Sequence, residues 1–237
     1  MLRVRPSARS AGHAGRLRLR MRALVRAAVV AWTGASAAAS AVAATLSVTA
    51  ELPDGKPLAG VVVQVHAIEG SARASAPVHA IMDQVDLAFT PDLLVIPVGS
   101  TVAFPNTDST SHQVYSFSPT HRFQLPLYRG KPYPPEHFDQ AGVVTLGCNI
   151  HDNMLAYILV TDAAFFGRTD TAGSWSQTGV PRGRYRVELW HPRLRDDPAH
   201  LNRVLAVSDS DADVVIRLDK PLRAAPLQKR PRSWDAY

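Results

Sequence analysis

The sequence predicts an all-β protein, and three observations carry that prediction. After residue 44 no long stretch repeats its apolar residues at the 3.6-residue period of a helix. Short apolar runs alternate instead, so that Tyr185, Val187 and Leu189 mark one face of a half-buried strand. Turn-forming clusters interrupt these runs, as at Pro53-Asp54-Gly55-Lys56-Pro57 and Val180-Pro181-Arg182-Gly183.

Residues 1–44 contain eight Arg, no Lys and no acidic residue, and close on Ala39-Ser40-Ala41-Val42-Ala43-Ala44. This composition predicts a secretory signal peptide cleaved near Ala43 or Ala44, and hence a periplasmic protein. The leader is longer than usual, and a start at Met21 would open a more ordinary one. No Arg-Arg pair points to the twin-arginine route. Arg26 and the many Ala residues weaken the apolar stretch, so a retained anchor is the lesser reading and no membrane span is expected in the mature chain.

The leader also accounts for the apparent basic character. The whole chain has 26 basic and 20 acidic residues; removing the eight leader arginines leaves 18 basic residues against 20 acidic ones, a net charge of −2. A basic patch suited to nucleic acid is therefore not expected. With one cysteine, Cys148, no intramolecular disulfide can form, and an unpaired thiol in an oxidising compartment calls for an explanation.

Residues 46–68 read as two strands around the Pro53–Pro57 turn, and residues 71–77, small and polar, read as a linker. Residues 180–192 carry a turn followed by a strand, and the Pro- and Arg-rich segment 221–237 reads as a flexible tail. Trp175, Tyr185, Trp190 and His191 offer a weak glycan contact, since aromatic rings stack on sugars; the stronger reading puts most of them in a β-sandwich core or at its edge. His66, His79, His121, His137 and His200 show no ligand spacing among themselves.

The chemistry concentrates at Cys148-Asn149-Ile150-His151-Asp152-Asn153-Met154, a C-x2-H-x2-M pattern. Well upstream, His112 sits at the end of a strand-like segment from which a neighbouring strand can supply a fourth donor. One thiolate, two imidazoles and one thioether are the donor set of a blue-copper electron-transfer site, with Met as the weak axial ligand. The thiolate is soft and electron-rich, and neutral imidazole accommodates both Cu(I) and Cu(II). A short loop between two strands turns the three clustered side chains towards one point. A catalytic Cys-His pair needs neither Met154 nor the upstream His, and the hydrolase sequence contexts are missing.

These residues resemble the cupredoxins, and the plastocyanin and amicyanin branch most closely, over about residues 77–162. Phe89 to Asn106 resembles the family's strand, Val-Gly turn, strand and Asn before the first His; Phe138 to Asp162 resembles the strand that leads into the ligand loop. The resemblance implies a Greek-key β-sandwich holding one copper ion through His112, Cys148, His151 and Met154, with His151 near the surface and Ile150 and Phe117 in an apolar docking patch. Gln113 replaces the Asn that often follows the first His, and Leu146 replaces an aromatic residue two before the Cys; both bear on hydrogen bonding around the ligands. The wording Phe104-Pro-Asn-Thr-Asp108, Val114-Tyr-Ser-Phe-Ser118 and Gly147-Cys-Asn-Ile-His-Asp152 also looks like periplasmic proteins labelled methylamine utilisation proteins.

A second resemblance covers the flanks. Asp54-Gly-Lys-Pro-Leu-Ala-Gly60, Thr169-Asp-Thr-Ala-Gly173 and Val180-Pro-Arg-Gly-Arg-Tyr185 resemble a carboxypeptidase regulatory-like domain, a small prealbumin-like sandwich grouped with carbohydrate-binding-like folds. Together the two imply a signal peptide at 1–44, a discontinuous sandwich at 45–70 and 163–220, a cupredoxin domain at 71–162 inserted in it or packed beside it, and the tail. The implied function is one-electron transfer to an unidentified redox partner protein, without enzymatic activity. Copper storage or delivery through the same ligands, or a glycan- or protein-binding sandwich with structural copper, are the alternatives.

Overall fold

The computed structural model describes residues 44–130 and 132–225. The expected signal peptide, and the expected tail beyond Ala225, lie outside the described residues.

The first two strands are Ala44–Glu51 (β1) and Val62–Gly70 (β2). The middle of the chain contributes His79–Ile81 (β3), Asp83–Val85 (β4), Ala88–Thr90 (β5), Leu93–Pro97 (β6), Ser100–Ala103 (β7), His112–Ser118 (β8), His121–Tyr128 (β9), Glu136–Phe138 (β10), Gly142–Gly147 (β11) and Leu155–Thr161 (β12). Phe165–Arg168 (β13), Ser174–Val180 (β14), Gly183–Trp190 (β15), Arg203–Val207 (β16) and Ala212–Arg217 (β17) follow. The protein is all-β, as its sequence predicts. Among the described residues the only α-helix is Pro198–Leu201 (α1), a single turn whose cap Asp197 accepts from the Ala199 N–H at 3.0 Å.

Strand pattern decides which face is buried. β1 alternates buried and half-buried residues along its whole length, and on β15 Tyr185, Val187 and Leu189 are all buried, the face that the alternation marks. The outer strands form sheets in the order β14-β1-β17 and β13-β2-β15-β16. Between them lies a core of Leu46, Val48, Val63, Val65, Tyr185, Val187, Leu189 and Ile216. The middle strands form sheets in the order β10-β7-β3 and β6-β12-β11-β8-β9 around a second core containing Phe104, Val114, Phe138, Val144, Leu146, Ile158, Cys148 and Met154. A small third cluster joins them, with Val62 from β2 against Leu93 of β6 and Leu159 of β12 and with Tyr157 and Trp190 packed at its edge.

The two chain crossings between these cores run side by side. In the 71–77 segment the Ser75 N–H donates to the Ala163 carbonyl at 3.2 Å and the Ser75 hydroxyl to the Ala164 carbonyl at 3.0 Å. At the other end of the chain Leu222 packs on the first core, and the Arg223 N–H donates to the Arg193 carbonyl at 2.8 Å.

Candidate metal centre

The site forms where β8 lies beside β11 and the loop leading to β12. β11 pairs with β12 along its whole length, Gly142 to Gly147 against Val160 to Leu155, and with β8 at Gly147 and Tyr115. This pairing fixes both ends of the 148–154 loop, and the Met154 N–H donates to the His151 carbonyl at 3.0 Å to close its turn. Glycine at 147 leaves room for the Tyr115 ring, since a Cβ there would stand 2.7 Å from the phenol end of that side chain and push it aside. His112 is the first residue of β8 and not the end of a strand as the sequence suggests. The loop before it is tied down by Asn106, whose Nδ2 donates to the Thr110 and Tyr128 carbonyls at 3.0 and 2.8 Å and whose Oδ1 accepts from the Asp108 N–H.

Three of the four residues singled out in the sequence bring donor atoms together. His112 Nδ1 lies 4.0 Å from Cys148 Sγ and 3.0 Å from His151 Nδ1, and Cys148 Sγ lies 3.9 Å from His151 Nδ1. A triangle with these sides has a centre about 2.1 Å from each corner, the length of a metal–imidazole bond. Among the described residues this is the one His/Cys/Asp/Glu group close enough to hold a metal ion. Met154 is buried in the same core as Cys148, and an open hollow of about 540 Å³ reaches both from the side of Tyr115 and Phe117.

Hydrogen bonds prepare the donors. His112 is fully buried, and its Nε2 lies 3.0 Å from Asp108 Oδ2. Burial opposes ionisation of Asp108, but the Leu87 N–H, the His112 ring, the Ser109 N–H and the His112 charge together hold its pKa down to about 2. Asp108 is therefore an acceptor, the proton sits on Nε2, and the Nδ1 lone pair of His112 is left for the site. The Leu87 N–H reaches Asp108 Oδ2 at 2.8 Å from the two-residue β4–β5 turn, where Asp86 and Leu87 both have positive φ, 49° and 59°. The pKa of His151 is lowered by burial and by the neighbouring His112, against the opposing pull of Asp108, which keeps a lone pair available on it too.

The thiol receives its own donor. The Gln113 N–H points at Cys148 Sγ at 3.5 Å, a main-chain contact that does not depend on which side chain follows His112. The Gln113 side chain has another task, accepting from Asn149 Nδ2 at 2.7 Å and so tying the ligand loop to β8. Leu146 is fully buried in the core beneath the site.

Sequence reasoning missed Asp108, the Leu87 turn and Asn149. Only Asp108 left a signal, an acid four residues before a histidine in a turn-rich run. Of the four residues considered for glycan contact, Tyr185 is fully buried with its hydroxyl on the Pro181 carbonyl at 2.7 Å, so it cannot stack on an external ligand. Trp175 lies over Gly167 and packs against the first core, Trp190 packs edge-on to Tyr157, and His191 lines a separate cleft.

Fold and site together define an all-β chain with a His-Cys-His donor group in which His112 and Cys148 are buried and His151 is half-buried. No protein-family model and no curated protein matches it. Among solved structures the chain is similar to a purple cupredoxin from Nitrosopumilus maritimus, with 24% identity over 35% of this chain and 99% of that one and a TM-score of 0.32. It is similar to an amicyanin variant in the reduced Cu(I) form, with 19% identity over 41% of this chain and 99% of that one and a TM-score of 0.32. A copper-containing nitrite reductase from Thermus scotoductus is 27% identical over 40% of this chain, at a TM-score of 0.34, and the chain spans 25% of that protein. Scores of 0.32–0.34 assign neither family nor activity.

Proposed function

We propose that this protein is a periplasmic one-electron carrier built on a single type 1 copper site. The observation that supports this best is the convergence of His112 Nδ1, Cys148 Sγ and His151 Nδ1 on one point. The donor set fits copper, since a thiolate with two imidazoles and a buried thioether nearby matches the ligands of blue-copper centres. Bound there, copper would supply the Cu(I)/Cu(II) couple. His112, Cys148 and His151 would hold it, with Met154 as the weak fourth donor.

The chain's own residues keep the site rigid. Asp108 orients His112, the Gln113 N–H stabilises the thiolate, and the Gln113–Asn149 contact holds the loop. With Met154 as a fourth donor beside His112, Cys148 and His151, the protein itself would fill the site and leave little room for a substrate, which favours a carrier over an enzyme. Phe117, on the hollow that reaches Cys148, is 69% exposed, and Ile150, next in the chain to the half-buried His151, is 51% exposed; these are apolar side chains on which a redox partner protein can dock. No helix among the described residues is long and apolar enough to cross a membrane.

We read the two cores as nested sandwiches, the 71–162 copper domain inserted into a prealbumin-like one formed by 45–70 and 163–220. The adjacent crossings at Ser75 and Ala163–Ala164 support that reading. Voltammetry of the copper-loaded chain in the presence of a Cu(I) chelator tests the function. A reversible one-electron wave with copper retained is the expected result. Rapid loss of Cu(I) to the chelator would replace the carrier with a delivery protein.

A further inference from the structure

Beside the third cluster a cleft of about 630 Å³ opens between Asp92 and Leu93, Asn153 at the end of the ligand loop, the start of β12, Arg168 of β13, and the segments after Trp190 and Pro221. Three arginines line it, Arg168, Arg193 and Arg223, against a single carboxylate, Asp92. Among the described residues none of the three guanidiniums has an ion-pair partner, whereas Arg182, Arg184, Arg186 and Arg217 each have one. The arrangement is built and not a chance meeting of long side chains. The Arg223 N–H donates to the Arg193 carbonyl at 2.8 Å and Arg193 Nη1 reaches the Arg223 carbonyl at 3.4 Å, so the two backbones are held together.

His191 also lines the cleft, and its Nδ1 accepts from the Arg193 N–H at 3.1 Å, which leaves the ring proton on Nε2 as a donor. Its pKa is pushed down to about 4, by burial first and then by the charges of Arg193 and Arg168, with Asp92 opposing. Leu93, Leu155 and Tyr157 supply an apolar wall. A second hollow of about 370 Å³ shares Tyr157, His191 and Arg223 with the first and extends the wall to Trp190, whose ring meets Tyr157 edge-on at 6.0 Å.

We propose that this cleft binds a small organic anion, a carboxylate or phosphate group carried on an apolar or ring-bearing body. Guanidinium forks match both oxyanions in bidentate geometry, and an anion relieves the mutual repulsion of three cations in one cleft. The volume falls in the range of small-molecule sites, and the mix of apolar wall with few polar groups is typical of them. Asp92 sets an opposite sign at one edge, so its removal strengthens binding while loss of an arginine weakens it.

Calorimetric titration of the full chain at low salt tests this, with benzoate, phenyl phosphate and inorganic phosphate as probes and benzylammonium as the charge-reversed control. Saturable one-to-one binding of benzoate or phenyl phosphate is expected, with none of benzylammonium. Arg168→Gln and Arg193→Gln should each weaken binding at least ~tenfold, while Asp92→Asn tightens it. Circular dichroism of each variant separates loss of the site from loss of the fold. No saturation by either organic anion up to about 10 mM, equal binding of benzylammonium, or unchanged affinity in folded Arg variants would overturn the assignment. Inorganic phosphate binding as tightly as phenyl phosphate would overturn its organic part.

Discussion

Asp108 Oδ2 accepts the Nε2 proton of His112 at 3.0 Å, and on the far side of the same ring Nδ1 stands 4.0 Å from Cys148 Sγ. The two contacts fix one tautomer and one ring orientation. Asp108 is itself held by the N–H groups of Leu87 and Ser109, so the ring is set from a hairpin turn that is remote in sequence.

Removing that support should loosen the site without removing a donor. Asp108→Ala is expected to weaken metal affinity by ~10- to 100-fold while leaving the metal-free fold intact. Competition with a chelator of known affinity measures it; an unchanged affinity would separate Asp108 from the site.

The Gly147–Tyr115 contact has a steric consequence. Gly147→Ala places a methyl group 2.7 Å from the Tyr115 ring and should destabilise the fold by about 1–3 kcal/mol. With Tyr115→Ala the clash disappears, so the double variant should be more stable than the sum of the single effects by at least ~0.5 kcal/mol. Urea unfolding of the four proteins reads the coupling, and strict additivity would refute the contact.

His191 gives stability a pH dependence. Its pKa is about 4 in the fold and 6.5 in the unfolded chain. Between these values the unfolded chain takes up a proton that the folded one does not, so its contribution is complete above pH 6.5 and is lost as pH falls towards 4. The loss should be on the order of 2 kcal/mol after screening, and His191→Gln should remove it. Unfolding of both proteins at pH 7.5, 5.5 and 4 shows it as a difference in slope; parallel profiles would contradict it.

The sheets were legible because period-2 alternation and Gly-Pro turns are local properties of the chain. Tyr185, Val187 and Leu189 announce their face in five residues, and the spacing of Cys148, His151 and Met154 announces a loop between two strands. His112 could be selected through its resemblance to a ligand-bearing segment, but its position at the head of β8 depends on Asn106 bonds that cross to Thr110 and Tyr128. Asp108 stands four residues before His112 and left that spacing as a signal, but the Leu87–Asp108 and Asn149–Gln113 contacts join segments far apart in the chain, and no periodicity records those. The arginine cleft was hidden for the same reason, since Arg168, Arg193 and Arg223 come from three separate segments that meet only in the folded chain.

Visible and EPR spectra of the chain titrated with Cu(II), beside the Cys148→Ser variant, test the thiolate site most directly. One equivalent of copper should give an intense blue absorption that the folded variant lacks. A colourless protein, or a variant that keeps the band, would contradict copper held by Cys148.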